Sequence, residues 1–427
     1  MLKNKFRPNW SLRSRPLLLG LFLFFYIPVT YWFGWVLLPG TGLDFPSYYH
    51  AARFAFVYRI TPYGPKAFEW IPGFMGDTVQ PYIYPPPSLL AFWPLTFFSI
   101  EHARAVFLVV SHLSYLASIW LMLAIVTRLP RDERFREITL GLAVVYLLCF
   151  DPALASLGLG QINLVALFFI CLALAALKRP SPAWCIALPL SVAILLKTYP
   201  VLLFPVLLFR RQFRAVALTC VFLGAFTALA VFVLPGNVWN TWFTDALPAG
   251  GYANGRIHAG FFANQSINAF VMRLLLENYF SKAPLLYPSL AKPVATVLAL
   301  IVASVTVFSS FRLRRPSDHE SEDDEIAAFL LMIYLVAPIS WDHHLVYILP
   351  AALLAISLLA SGSVGGKTAV LVAAALALIA WKLPIGSPAI TSGWRTLLIS
   401  GKLYGALVLW LFFIGRLRRS ALTVIPA

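Results

Sequence analysis

A carboxylate, an ammonium, two adjacent imidazoles and several side-chain amides interrupt the apolar runs of this sequence, where polar groups are costly unless they have a partner or a task. Asp44 stands two residues past Gly42, near the start of the proline-broken stretch 39–87. One carboxylate in such a place suits a general base in a transfer reaction, and a helix-capping or ion-pair role is the structural alternative. Tyr48 and Tyr49 follow, then Tyr63, Tyr82 and Tyr84, and tyrosines here fit either sugar stacking or interfacial anchoring. Gly158-Leu159-Gly160-Gln161-Ile162-Asn163 offers a tight turn and two neutral amides. Gln161 and Asn163 suit sugar hydroxyls, or simply cap the next helix.

Lys197 lies between two apolar runs in Leu195-Leu196-Lys197-Thr198-Tyr199-Pro200. Its ammonium either snorkels to an interface or holds a lipid-linked phosphate. Asn264 and Gln265 precede Ser266, and either Asn264 or Ser266 is expected to cap a short helix containing Arg273. Arg273 either holds the same phosphate or pairs with Glu277 four residues on. The glycines at 250, 251, 255 and 260 on the approach to this motif are expected to form a mobile loop. In Ser340-Trp341-Asp342-His343-His344, His343 and His344 suit a proton relay or a phosphate contact near Asp44. Zinc is not expected, because adjacent histidines on one helix diverge and no third ligand motif accompanies them.

Composition indicates the scaffold that must position these residues. The chain has 427 residues, 60% hydrophobic and only 12% charged, with mean hydropathy +0.81, against roughly 25% charged residues in soluble domains. An all-α polytopic membrane protein is expected, because only helices or closed barrels satisfy their backbone inside lipid. The net charge of +16 fits basic loops kept on the cytoplasmic side, and no nucleic-acid partner is expected. Cys149, Cys171, Cys185 and Cys220 lie in or beside apolar runs without metal-ligand spacing, as buried free thiols would.

Basic residues 3–15 are expected to hold the N-terminus inside. The apolar run at 17–38 lacks a small-residue cleavage site and reads as a first span that stays. Further basic clusters place spans near 103–127, 138–150, 162–177, 182–196, 199–209, 215–234, 293–311, 326–340, 345–361, 368–384 and 397–415, about twelve crossings in one domain, 1–427. Segment 86–100 is short, carries Pro94 and is expected to dip in or lie along the surface. The polar motifs then share the outer face, on a first loop at 39–85, a turn at 151–161 and a long loop at 235–292. The charged loop 312–325 is expected to be cytoplasmic and mobile.

Taken in order, these motifs resemble glycosyltransferase family 87 of the membrane GT-C superfamily, which includes polyprenol-phosphate-mannose-dependent α-mannosyltransferases. The likeness covers most of the chain. It rests on Asp44-x-x-x-Tyr48-Tyr49-x-Ala51-Ala52, Pro62-Tyr63, Tyr84-Pro85-Pro86, Gly160-Gln161-Ile162-Asn163, Lys197-Thr198-Tyr199-Pro200, Asn264-Gln265-Ser266 and Ser340-Trp341-x-His343-His344. The resemblance implies a GT-C-type fold, a catalytic aspartate on the first outer loop, a polyprenyl-phosphate sugar donor, a lipid or glycan acceptor, and no metal or other cofactor. In that scheme Asp44 is the base, Lys197 and Arg273 meet the donor phosphate, and Tyr48, Tyr49, Gln161, Asn163, Asn264 and Gln265 meet sugar or acceptor. A transporter or lipid flippase without chemistry is the competing expectation, but transporters gather polar groups near the midplane rather than at one face.

Overall fold

The computed structural model describes residues 44–64, 81–125, 133–249, 260–311, 319–384 and 386–422. The expected first span at 17–38, the loop tip at 65–80 and the glycines at 250, 251 and 255 lie outside them. Among the described residues the structure is helical, with isolated β-bridges and no strand. Among the described residues six segments are long and apolar enough to cross a membrane: Ile100–Leu123, Arg136–Leu159, Phe213–Val233, Pro288–Phe311, Asp342–Ala360 and Gly393–Arg419. Shorter apolar helices occupy Asn163–Leu177, Ala183–Leu196, Tyr199–Phe209 and Gly366–Ala380. The protein is therefore an all-α polytopic membrane protein.

The elements that position the polar residues are α1 (Phe45–Phe56), α2 (Ile100–Ile125), α3 (Glu133–Leu148), α4 (Asp151–Leu159), α5 (Asn163–Leu177), α6 (Ala183–Leu196), α7 (Phe213–Val233), α8 (Ile267–Leu275), α9 (Pro288–Phe311), α10 (His319–Val336), α11 (Leu349–Ala360), α12 (Gly366–Ala380) and α13 (Gly401–Leu422). Helix α5 packs against α2 and α6, and α6 also against α7, while α13 packs against α10 and α12. The core lies along α10 and α11, where Ala328, Phe329, Leu331, Leu349, Ala351 and Ala352 are wholly buried. Helix α7 is its opposite, with Val221, Val231 and Phe232 exposed, as suits a surface meant for lipid rather than water.

Some sequence expectations are corrected and others hold. The first loop contains α1, started by Pro46 in its first turn, where a missing N–H is tolerated. The turn 151–161 is largely helix α4, and 235–292 contains α8, capped by Ser266, whose Oγ accepts from the Ala269 amide at 3.0 Å. The segment 86–97 is a chain of short helical turns broken by Pro86, Pro87 and Pro94, too short to span.

The charged stretch 312–325 differs most from expectation. From His319 onward it is the start of α10, and Asp323, Asp324 and Glu325 are buried. Asp323 pairs with Lys178, Asp324 takes the Arg416 Nε on both oxygens at 3.1 and 3.0 Å, and Glu325 takes the Arg210 Nε at 3.1 Å. Each partner comes from a distant basic cluster, so the acids are ordered by tertiary pairing that local composition does not reveal.

Candidate active site

At the opposite end of these helices a chain of polar side chains runs from Asp44 to His344. Asp44 occupies the N-cap position of α1, yet its side chain makes no capping bond. The carboxylate instead accepts from Gln161 Nε2, at 2.7 Å on Oδ2, while its backbone N–H is tied to the Leu159 carbonyl at 2.9 Å. Among the described residues its second oxygen accepts no hydrogen bond, and the N-terminus of α1 favours negative charge there.

The glycine before Gln161 explains the aim of that amide. Gly160 ends α4 at φ +69°, and a Cβ there would stand 2.8 Å from the Phe45 Cβ. The Gly160 N–H bonds Leu157 O at 3.0 Å and the Gln161 N–H bonds Ser156 O at 2.8 Å, the paired bonds of a Schellman ending. Gln161 is thereby set beside the start of α1. Its Oε1 accepts from Tyr48 OH at 2.7 Å, and Tyr48 OH meets Tyr84 OH at 3.1 Å. The Tyr48 ring is stacked on Phe92, centroids 4.7 Å apart, so the short turns after Pro86 serve as its backing.

Lys197 closes the chain. It is extended between α6 and the turn started by Tyr199-Pro200, where Pro200 has no N–H to continue the helix onto the Leu196 carbonyl. Its Nζ donates to Tyr84 OH at 2.7 Å, lies 4.6 Å from that ring's centroid and stands 3.5 Å from His344 Nε2. The residue is 4% exposed, and among the described residues no carboxylate lies within salt-bridge reach. Burial pushes the ammonium down to about 7, with the charge of Asp44 working the other way. Burial also raises the Tyr84 phenol, which keeps its hydroxyl protonated. A buried cation held by a phenol and an imidazole is poised to take an anion.

The structure thus brings together Asp44, Tyr48, Gln161, Lys197 and His344 but not the other expected residues. Tyr49 donates to the Phe98 carbonyl at 2.8 Å and fastens the proline-rich turns to α1. Asn163 accepts from Tyr347 OH at 2.9 Å and reaches Ser156 Oγ at 3.4 Å. Asn264 Oδ1 accepts from the Ser266 and Ser340 amides, at 3.2 and 3.0 Å, and Gln265 Nε2 donates to the Phe262 and Ile399 carbonyls, at 2.7 and 2.8 Å.

Arg273, 1% exposed, donates to the Phe261 and Asn264 carbonyls, at 3.1 and 2.8 Å, and to Ser400 Oγ at 2.8 Å. Burial lowers it to about 10. Arg273, expected to meet a phosphate, here holds the 261–265 loop through Nη1, and that loop pairs through Asn264 and Trp341 with the segment leading to His343.

His343 stands beside the chain, its ring centroid 4.9 Å from that of His344. Its Nδ1 faces Asp342 Oδ1 at 3.5 Å. Asp342 in turn faces Lys402, and Lys402 bonds Asp151 at 2.9 Å. Sequence reading offered Tyr84 only for sugar stacking or anchoring, and passed over Lys402 and Asp151. The signal for Lys402 was available: a lysine inside the apolar run 397–415 demands a counter-charge.

Fold and site together define a helical membrane protein with an anion-seeking polar chain and a carboxylate at one end. The chain belongs to glycosyltransferase family 87, whose model matches residues 82–338. It is 26% identical over 287 residues to the polyprenol-phosphate-mannose-dependent alpha-(1-2)-phosphatidylinositol mannoside mannosyltransferase of Mycobacterium tuberculosis, a match covering 64% of this chain and 61% of that protein. It is 25% identical over 355 residues to the protein of that name in Mycolicibacterium smegmatis, covering 79% and 75%. The chain thus spans less than two thirds of the first relative's length. No solved structure matches this chain.

Proposed function

We propose that this protein is a membrane glycosyltransferase that moves a hexose from a polyprenyl-phosphate donor to a lipid or glycan hydroxyl. The observation that carries the reading is the buried Lys197 ammonium, which among the described residues has no carboxylate within ion-pair distance and is linked through Tyr84, Tyr48 and Gln161 to Asp44. The acceptor hydroxyl attacks the anomeric carbon as the bond from that carbon to the phosphate oxygen breaks. Asp44 takes the hydroxyl proton, and polyprenyl phosphate leaves as an anion met by Lys197. A single displacement inverts the anomeric centre, and one carboxylate suffices because the leaving group is already acidic.

Mannose is the sugar that the relatives' names support. The resemblance to the family supports a GT-C-type fold, and the basic clusters support about twelve crossings with the Asp44 end facing the exterior. In support, Lys178, Arg210 and Arg416 share the end opposite Asp44.

The test is incubation of purified protein with labelled polyprenyl-phosphate sugars and a lipid extract. Transfer is expected with the mannosyl donor. No transfer from any donor, with movement of the donor across vesicles, would establish the flippase reading instead.

A further inference from the structure

Beside the polar chain stands a buried group that the proposed transfer does not use. His343 is 6% exposed, and among the described residues its Nε2 has no hydrogen-bond partner. Its other nitrogen, Nδ1, faces Asp342 Oδ1 at 3.5 Å, and the same oxygen accepts the His343 backbone N–H at 2.7 Å. Asp342 Oδ2 lies 3.8 Å from Lys402 Nζ, which is held by Asp151 Oδ2 at 2.9 Å. Lys402 is 1% exposed and begins α13, Asp151 begins α4, and Asp342 opens the turn before α11. Three elements far apart in sequence therefore meet on one cation.

We propose that Lys402 is a positioning residue: with Asp151 it fixes Asp342, which orients His343 so that its Nε2 accepts a hydrogen bond from a substrate hydroxyl. A carboxylate beside Nδ1 holds the ring proton there and leaves the Nε2 lone pair available. The backbone is held as well, since Ser156 Oγ donates to the His343 carbonyl at 3.2 Å. The His343 ring packs perpendicular to His344, centroids 4.9 Å apart, and His344 is the imidazole that approaches Lys197. A ligand on Lys197 would lie one imidazole away from His343, and an acceptor nitrogen there fits a sugar hydroxyl rather than a phosphate oxygen, which has no proton to give. This rests on the proposed transfer function for the identity of the ligand, but not for the positioning itself.

The experiment uses full-length protein carrying ¹⁵N-labelled histidine, with His343→Gln identifying the resonances of that ring. In the unaltered protein His343 is expected to carry its proton on Nδ1; a proton on Nε2 instead overturns the proposal without any variant. The pair Lys402→Met with Asp151→Asn removes one charge of each sign and keeps the net buried charge. It is expected to mix the two tautomers and to lower turnover about a hundredfold, the scale of a small misplacement of a reacting group.

A variant that retains the Nδ1 tautomer, or that loses it with turnover unchanged, rules the positioning role out. Separate KM values for donor and acceptor decide whose hydroxyl is bound, since only that one rises in His343→Gln. Should no donor support transfer, the tautomer measurements still decide the positioning, so the two failures are told apart.

Discussion

The two ends of the helix bundle handle buried charge in opposite ways. Helix α5 begins at Asn163 near the Gln161 amide and ends beside Lys178, about 22 Å away at 1.5 Å per residue. At the Lys178 end every buried acid of α10 has a basic partner: Asp323 with Lys178, Asp324 with Arg416, Glu325 with Arg210. At the Asp44 end Lys402 is likewise matched by Asp151, but the buried Lys197 ammonium has a phenol and an imidazole, and the Asp44 carboxylate has an amide. Matched pairs hold helices in place, whereas a cation with neutral partners stays attractive to an anionic ligand. The contrast separates structural charge from chemical charge more clearly than residue type does.

The comparison predicts that substitutions at one end change rate and those at the other change stability. The largest effect is expected for Asp44→Asn, which keeps the bond from Gln161 as far as shape allows but cannot take a proton. Transfer should fall by about a hundredfold to ten-thousandfold with an unchanged thermal transition; near-normal turnover would remove Asp44 from the chemistry. Asp324→Ala tests the other end. It leaves the Arg416 head without its carboxylate and should lower stability by about 3–5 kcal/mol, seen in thermal unfolding, while folded protein turns over normally. A loss of turnover that exceeds the loss of folded protein would break the division between the two ends.

Lys197→Met comes next. Removing one charge-stabilising donor should lower the rate about a hundredfold to a thousandfold and weaken donor binding, with stability unchanged or improved because an unmatched buried charge is gone. Loss of stability with turnover intact would make Lys197 structural.

The smallest effect is on pH dependence. The free ammonium titrates near 7, and a bound phosphate raises that value, so donor binding takes up a proton above this pH. Donor affinity should be flat below about pH 7 and fall up to tenfold per unit above it. Affinity that is flat to pH 9 would show that this ammonium does not meet the phosphate.

The sequence by itself determined the class of protein and most of the helices, because apolar runs of membrane length have few alternative folds. It also singled out Asp44, Gln161 and Lys197, since polar groups at the ends of such runs stand out against their surroundings. The proline after Lys197 and the glycine before Gln161 were legible too, as local backbone chemistry.

Only the tertiary structure decided which polar groups share a site. Arg273 and Lys197 are both buried cations near helix ends, yet one meets backbone carbonyls and the other a phenol and an imidazole. Likewise 319–325 reads as a solvated run until Lys178, Arg210 and Arg416 are brought to it from elsewhere in the chain. Lys402 depends on Asp151, some 251 residues away. A side chain's function here depends on its partners, and partners so distant in sequence are specified by how the helices pack, which no local pattern records.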